Sequence, residues 1–148
     1  MGTGRDAVEA AKDLVLEFWA CMDETSDGSA EALFTEDGVL TIDPIKSAVV
    51  RVAGLEQLAV FCRKRREVAA SSKRVTRHVV SNQRVVAQAA ESMTLSGYVT
   101  DYIGAGELPL PVLAPTAVAD FSYDFVLNAD GAWRLSLVSG KIIFEGQH

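Results

Sequence analysis

At Arg74 the chain changes its period. Before that point apolar residues recur every three or four positions. From Arg74 onward come "RVTRHVVSNQRVVA", "ESMTLSGYVTDYI", "VADFSYDFVL" and "AWRLSLVSGKIIFE", each rich in Val, Ile, Thr, Tyr or Phe, with polar residues alternating in places. Branched and aromatic side chains at a period of two suit a pleated, half-buried surface, which predicts a run of about four antiparallel strands. "NADG", Asn128 to Gly131, predicts a hairpin turn between the last two, because Asn, Asp and Gly tolerate positive φ. "IGAGELPLPVLAPT" holds Gly104, Gly106, Pro109, Pro111 and Pro115. It predicts a long irregular connection, of a kind often used as a lid or an interface arm.

The part before Arg74 reads as helices. Val8, Ala11, Val15, Phe18, Trp19 and Met22 make one apolar face of an amphipathic helix over Asp6 to Met22. "DETSDGSAEALFTEDG" predicts a turn and a short helix from Ser29 to Phe34, with Asp27 or Ser29 as N-cap and Gly38 closing the segment. "VLTID" reads as a strand that stops at Pro44. Leu55, Leu58, Ala59, Phe61 and Cys62 predict a third helix from Leu55 to Val68, ended by the basic run "RKRRE", whose charge suits a helix C-terminus. Helices first and strands afterwards define an α+β fold: about three helices on one face of a curved antiparallel sheet, with room for a small-molecule pocket between them.

Length and charge narrow the function. At 148 residues and 49% hydrophobic side chains, the chain is expected to form one domain over residues 1–148 around a single core. A formal charge of -6 argues against a nucleic-acid surface. The two cysteines, Cys21 and Cys62, lack CxxC spacing and are expected to be buried, reduced thiols. "MGTGRDAVEAAKD" has no apolar signal core, and Asp6 stands where a lipidation signal after Gly2 would need Ser or Thr. No stretch approaches the roughly 20 apolar residues of a bilayer span, so a cytoplasmic protein without a membrane partner is expected. With no Gly-rich phosphate loop, nucleophilic Ser motif or metal-ligand cluster, neither cofactor nor metal is expected.

One residue stands out for chemistry. "TRHVVSN" carries His78, and the other histidine is the terminal His148. A strand histidine is either a half-buried structural group with satisfied hydrogen bonds or an acid/base able to exchange protons near neutrality. Phe121, Tyr123, Phe125 and Leu127 alternate with Asp120, Ser122 and Asp124, so one face of that strand is core. The run "RKRRE", continued by Lys73, Arg74 and Arg77, reads as a solvated helix end.

Four pieces carry a family resemblance: the first helix running into "ACMDETSDGSAEALFTEDGVLTID", the helix "GLEQLAVFCRK", the strand "TRHVVSN", and "DFSYDFVLNADGAWRLS". Together they resemble the SnoaL-like branch of the nuclear transport factor 2-like superfamily over nearly the whole chain. The resemblance implies a cone-shaped α+β barrel around a pocket for a small, largely apolar oxygenated molecule, and commonly a homodimer formed through the sheet. It also implies either proton-transfer chemistry of dehydratase, isomerase or cyclase type, or a noncatalytic role like that of small subunits of ring-hydroxylating dioxygenases. By similarity to scytalone dehydratase, His78 would be the acid/base and Asp23 its partner, with Met22 standing where the dehydratase has tyrosine. Oxygen polarisation would then fall to Tyr98, Tyr102 or Tyr123. By similarity to ketosteroid isomerase, the Asp43-Pro44 step would carry the proton-shuttling carboxylate, with Asp120 or Asp124 as acidic partner and Phe18 and Trp19 where its helix has tyrosine. On the residues alone, Asp23 and Asp43 are also ordinary turn carboxylates. Trp19 and Met22 read as core with a share in the cavity wall.

Overall fold

The computed structural model describes residues 4–44 and 47–146. The expectations for Gly2 and His148 fall outside them. Helix α1 (Gly4–Met22) presents Ala11, Val15, Phe18, Trp19 and Met22 to the core, the stripe expected from their spacing. A single 3-10 turn (Ala30–Leu33) takes the place of the short helix; Ser29 precedes it without a side-chain cap bond, and Gly38 lies inside the following strand. That strand, β1 (Phe34–Asp43), is longer than "VLTID" because Phe34 is already buried. A four-residue strand, β2 (Val50–Ala53), is too short to announce itself by alternation.

Helix α2 (Leu55–Ser72) runs past Val68, so "RKRRE" lies within the helix and does not end it. Buried Ala69 holds the extra turn, and Lys73 stops it in the left-handed region, with φ 54° and its N–H donating to the Ala69 carbonyl. Four strands follow: β3 (Arg74–Gln88), β4 (Ser92–Ala105), β5 (Ala117–Leu127) and β6 (Trp133–Glu145). The β5–β6 hairpin closes on "NADG", where Gly131 has φ 82° and the Asn128 N–H donates to the Ala132 carbonyl at 2.8 Å.

The sheet order is β2-β1-β6-β5-β4-β3. Every pairing is antiparallel except β1 with β6, which is parallel, so the sheet is mixed where an antiparallel one was expected. β1 and β6 are joined through most of the chain, and no local signal could give their direction. The sheet curves around the helices without closing. One source of curvature is a bulge in β3 at Asn82, which has φ 55° and interrupts the register between Ser81 and Arg84.

The core lies between the concave face and the helices. Phe121, Tyr123 and Phe125 of β5 point into it, with Leu135 and Val138 of β6 and Leu95 and Val99 of β4. Gly140 lies opposite Phe121 on β6, and a Cβ there would meet the Phe121 ring well inside contact distance. Phe121 is held edge-on to Trp19, with centroids 5.0 Å apart, and has little room to retreat except into the cavity. Gly140→Ala is therefore expected to cost about 1–3 kcal/mol in urea denaturation, as overpacked cores do, and to narrow the pocket. An unchanged unfolding midpoint would contradict this.

Candidate functional site

The concave face and the helices leave a cavity of about 160 Å³. Its wall is mostly apolar, with Phe18, Trp19 and Met22 from α1, Phe61 from α2 and Val99 and Phe121 from the sheet, and among the described residues its polar side chains are Arg65, His78 and Asp101.

His78 is fixed from three sides. Asp23 follows α1 directly, with its N–H donating to the Trp19 carbonyl at 2.9 Å, and its carboxylate then turns toward β3. Asp23 Oδ1 lies 2.5 Å from His78 Nδ1, and Oδ2 accepts the His78 backbone N–H at 2.7 Å. The Thr76 hydroxyl donates to Oδ1 at 2.9 Å. The Trp19 ring stacks on the imidazole at 4.4 Å between centroids, and its Nε1–H donates to the Tyr123 hydroxyl at 2.9 Å. Both partners of the dyad are largely shielded, with side-chain exposures of 11% for His78 and 6% for Asp23. Burial would raise the Asp23 carboxyl, but hydrogen bonds from the His78 ring and backbone, with its charge and the Thr76 hydroxyl, outweigh burial and hold it below the usual carboxylate range.

Asp101 is the member that sequence reasoning missed. It pairs directly with His78 across β3 and β4 on the concave face, and its Oδ1 lies 3.2 Å from His78 Nε2. Burial raises its carboxyl, with the Asp23 charge adding to the effect, against the lowering influence of His78 and two arginines. Oδ1 has no hydrogen bond of good geometry. With Nδ1 held against the Asp23 carboxylate, Nε2 is the ring nitrogen turned to Asp101 and the cavity.

The raised carboxyl has a stability consequence with a definite sign. Its charged form is disfavoured in the fold, so the cost appears as pH rises from the unfolded value of about 3.9 and is complete above the folded one. Asp101→Asn is expected to raise the melting midpoint at pH 7 and to leave it unchanged below about pH 4. A lower midpoint at pH 7 would contradict that assignment.

The other candidates are dispersed. Trp19 and Met22 line the cavity, but Tyr123 is fully buried behind it, bonded to Trp19. Tyr98 is on the outer face, 49% exposed, and Asp124 is on that same face, accepting the Thr94 hydroxyl at 2.7 Å. Asp120 shares it, cross-strand from Tyr98. Tyr102 does not line the cavity; it follows Asp101, whose side chain does, and adjacent strand residues point to opposite faces. Asp43 ends β1, exposed and outside the cavity wall, which Ile42 supplies instead, so the structure brings Asp43 together with neither His78 nor an acidic partner. Cys62 is buried, with its thiol pushed up to about 11 by burial, whereas Cys21 is only partly buried. Among the described residues no group of three or more His, Cys, Asp and Glu is placed to hold a metal ion, and no helix is long and apolar enough to cross a membrane.

An open curved sheet wrapped on two helices around an apolar pocket is the architecture of the nuclear transport factor 2-like, or cystatin-like, class. The chain belongs to the SnoaL-like domain family, whose model matches residues 5–138. No curated protein matches it by sequence. Among solved structures it is similar to ActVI-ORFA from Streptomyces coelicolor, with a TM-score of 0.72, 14% identity, and coverage of 93% of this chain and 98% of that one. It is also similar to a hexachlorocyclohexane dehydrochlorinase, LinA type 2, with a TM-score of 0.72, 17% identity, and coverage of 97% and 90%. A third is a protein assigned as the beta subunit of an aromatic-ring-hydroxylating dioxygenase from Novosphingobium aromaticivorans, with a TM-score of 0.73, 13% identity, and coverage of 97% and 92%. At such identities these likenesses establish the fold and nothing finer.

Proposed function

We propose that the protein is a cofactor-independent enzyme that moves protons on a small, largely apolar oxygenated molecule, in a reaction of elimination, isomerisation or cyclisation type. The observation that carries this reading is the 2.5 Å contact between Asp23 Oδ1 and His78 Nδ1 at the wall of an apolar cavity. A carboxylate behind Nδ1 fixes the tautomer, stabilises the imidazolium and leaves Nε2 to exchange protons on the pocket side. Asp101, 3.2 Å from Nε2, is placed to pass a proton to the ring or to receive one from it. Apolar walls keep water from competing and strengthen the electrostatics of the few polar groups. A cavity near 150 Å³ holds a benzene-sized molecule, so substrates of about one ring are expected. One structural neighbour is named a dehydrochlorinase, and removal of hydrogen chloride is an elimination of the proposed type.

A noncatalytic binding subunit is the competing reading, after the neighbour assigned as a dioxygenase beta subunit. The specific observation in its favour is Asp101 at Nε2, since a histidine held by carboxylates on both sides also makes a rigid structural post. Pairing of two copies through the outer sheet face, where Val79, Tyr98 and Phe144 are exposed, is compatible with either reading.

The test needs no known substrate. A panel of single-ring ketones and β-hydroxy ketones is incubated with the protein in D2O and followed by NMR for deuterium uptake beside the carbonyl and for loss of water. Exchange above the buffer background on at least one compound is expected. Background rates across the whole panel would favour the binding subunit.

A further inference from the structure

Arg65 is the one charged group of the pocket wall that the proton-transfer reading leaves unused. It stands on α2 and faces the same cavity as His78 and Asp101. Its Nε is buried without a hydrogen-bond partner, and its Nη2 reaches only the Met22 carbonyl, at a long 3.4 Å. None of the ion pairs among the described residues includes it. Arg74 lies close by, donating from Nη2 to the Arg65 carbonyl at 3.2 Å, and its own Nε is also buried and unpartnered. Guanidinium groups stay charged in proteins, so the fold holds a largely buried positive charge at the polar corner with donor capacity unspent. The charge is partly met by the Phe61 ring, 6.0 Å from the guanidinium carbon, and by Asp101 and Asp23, but the Nε donor stays unpaired, which is unfavourable unless something else fills the position.

We infer that Arg65 is the oxyanion holder of this site and that its ligand is the carbonyl oxygen of a single-ring-sized ketone or ester as that oxygen becomes an enolate. The inference deepens the proton-transfer reading and rests on it for the reacting step. His78 Nε2, which carries a free lone pair in the neutral ring protonated on Nδ1, takes a proton from the carbon beside the carbonyl. The C–H electron pair becomes the new C=C bond, and the carbonyl π pair moves onto oxygen, where Arg65 meets the charge. Imidazolium and enolate form together, so the net charge of the pocket does not change. The same proton then returns to carbon or leaves with a departing hydroxyl as water. A permanent carboxylate at Arg65 fits less well, because Asp101 and Asp23 already direct negative charge at the guanidinium. An oxygen that is neutral on arrival avoids that repulsion.

4-Nitrophenolate, a one-ring enolate mimic with visible absorbance, and 4-nitroanisole, its neutral counterpart, are the probes, with benzoate as the carboxylate arm. Wild type is expected to bind the phenolate at least about tenfold tighter than the anisole, as a charge-assisted hydrogen bond allows, and tighter than benzoate. Arg65→Met should erase that preference while anisole affinity stays within about twofold, which reports an intact pocket, and Arg65→Lys should restore part of it. Equal binding of the two nitro compounds, a preference that survives Arg65→Met, or no binding of either probe overturns the inference. Benzoate binding as tightly as phenolate, and equally dependent on Arg65, also overturns it in favour of a carboxylate anchor. Ketone exchange that persists at full rate in Arg65→Met removes the oxyanion role alone. Absence of exchange in wild type removes the proton-transfer reading, and the enolate assignment with it.

Discussion

Replacing His78 with alanine is expected to lower turnover of any ketone found by deuterium exchange by about 10²–10⁴-fold, the usual contribution of a positioned acid/base. The imidazole is the group that links the cavity to the Asp23 carboxylate, and among the described residues no second histidine or lysine lines the wall. His78→Ala also removes the face on which the Trp19 ring stacks, so thermal unfolding of the variant has to be measured beside the kinetics. Turnover within threefold of wild type in a folded His78→Ala protein would sink the acid/base assignment and leave the histidine as a structural post.

The largest stability effect is expected at Asp23. Its two oxygens accept from the Thr76 hydroxyl, the His78 backbone N–H and the His78 ring. Asparagine has one acceptor oxygen, and its NH2 group would face either the ring N–H or the backbone N–H. Breaking a buried charged pair in this way costs on the order of 3 kcal/mol. For a chain of this size that is roughly 6–12 °C at the melting midpoint. The pH dependence follows from the lowered carboxyl. A depressed folded value means that the stabilisation is complete above the unfolded value of about 3.9 and disappears as pH falls through the folded one. The gap between wild type and Asp23→Asn should therefore be full at pH 7, shrink below pH 4 and close in stronger acid. A gap that stays constant to the acid end would assign the loss to packing instead of charge.

Asp23→Asn and Asp101→Asn thus have opposite expected signs at pH 7, although both are aspartates touching the same histidine. The difference lies in hydrogen bonds. Three donors converge on Asp23, whereas Asp101 Oδ1 has a neighbouring charge but no aligned donor.

Much of this arrangement was legible before any coordinates. The three- and four-residue spacing of Ala11, Val15, Phe18, Trp19 and Met22 marks a face that the sheet covers, and "NADG" makes its turn where Gly131 needs positive φ. His78 was a candidate as an isolated strand imidazole, and Asp23 joined it through the resemblance to scytalone dehydratase. Other features gave no local signal. A strand's alternation separates two faces without saying which one is concave, and Tyr98 and Asp124 illustrate the consequence: both were expected in the pocket, and both lie on the outer face. Arg65 was hidden in "RKRRE", where four bases in five residues read as solvent-facing and one turns to the cavity.

By itself the sequence determined most element types and the helix face that would be buried, because periodicity and turn chemistry act over a few residues. Only the tertiary structure decided that β1 lies parallel beside β6, that Asp43 stays outside the pocket and that Asp101 stands across from His78. The last depends on a register set over two long strands and interrupted by the bulge at Asn82. A slip of one residue would send every side chain of a strand to the other face, and only the packing of the whole core against the sheet prevents it.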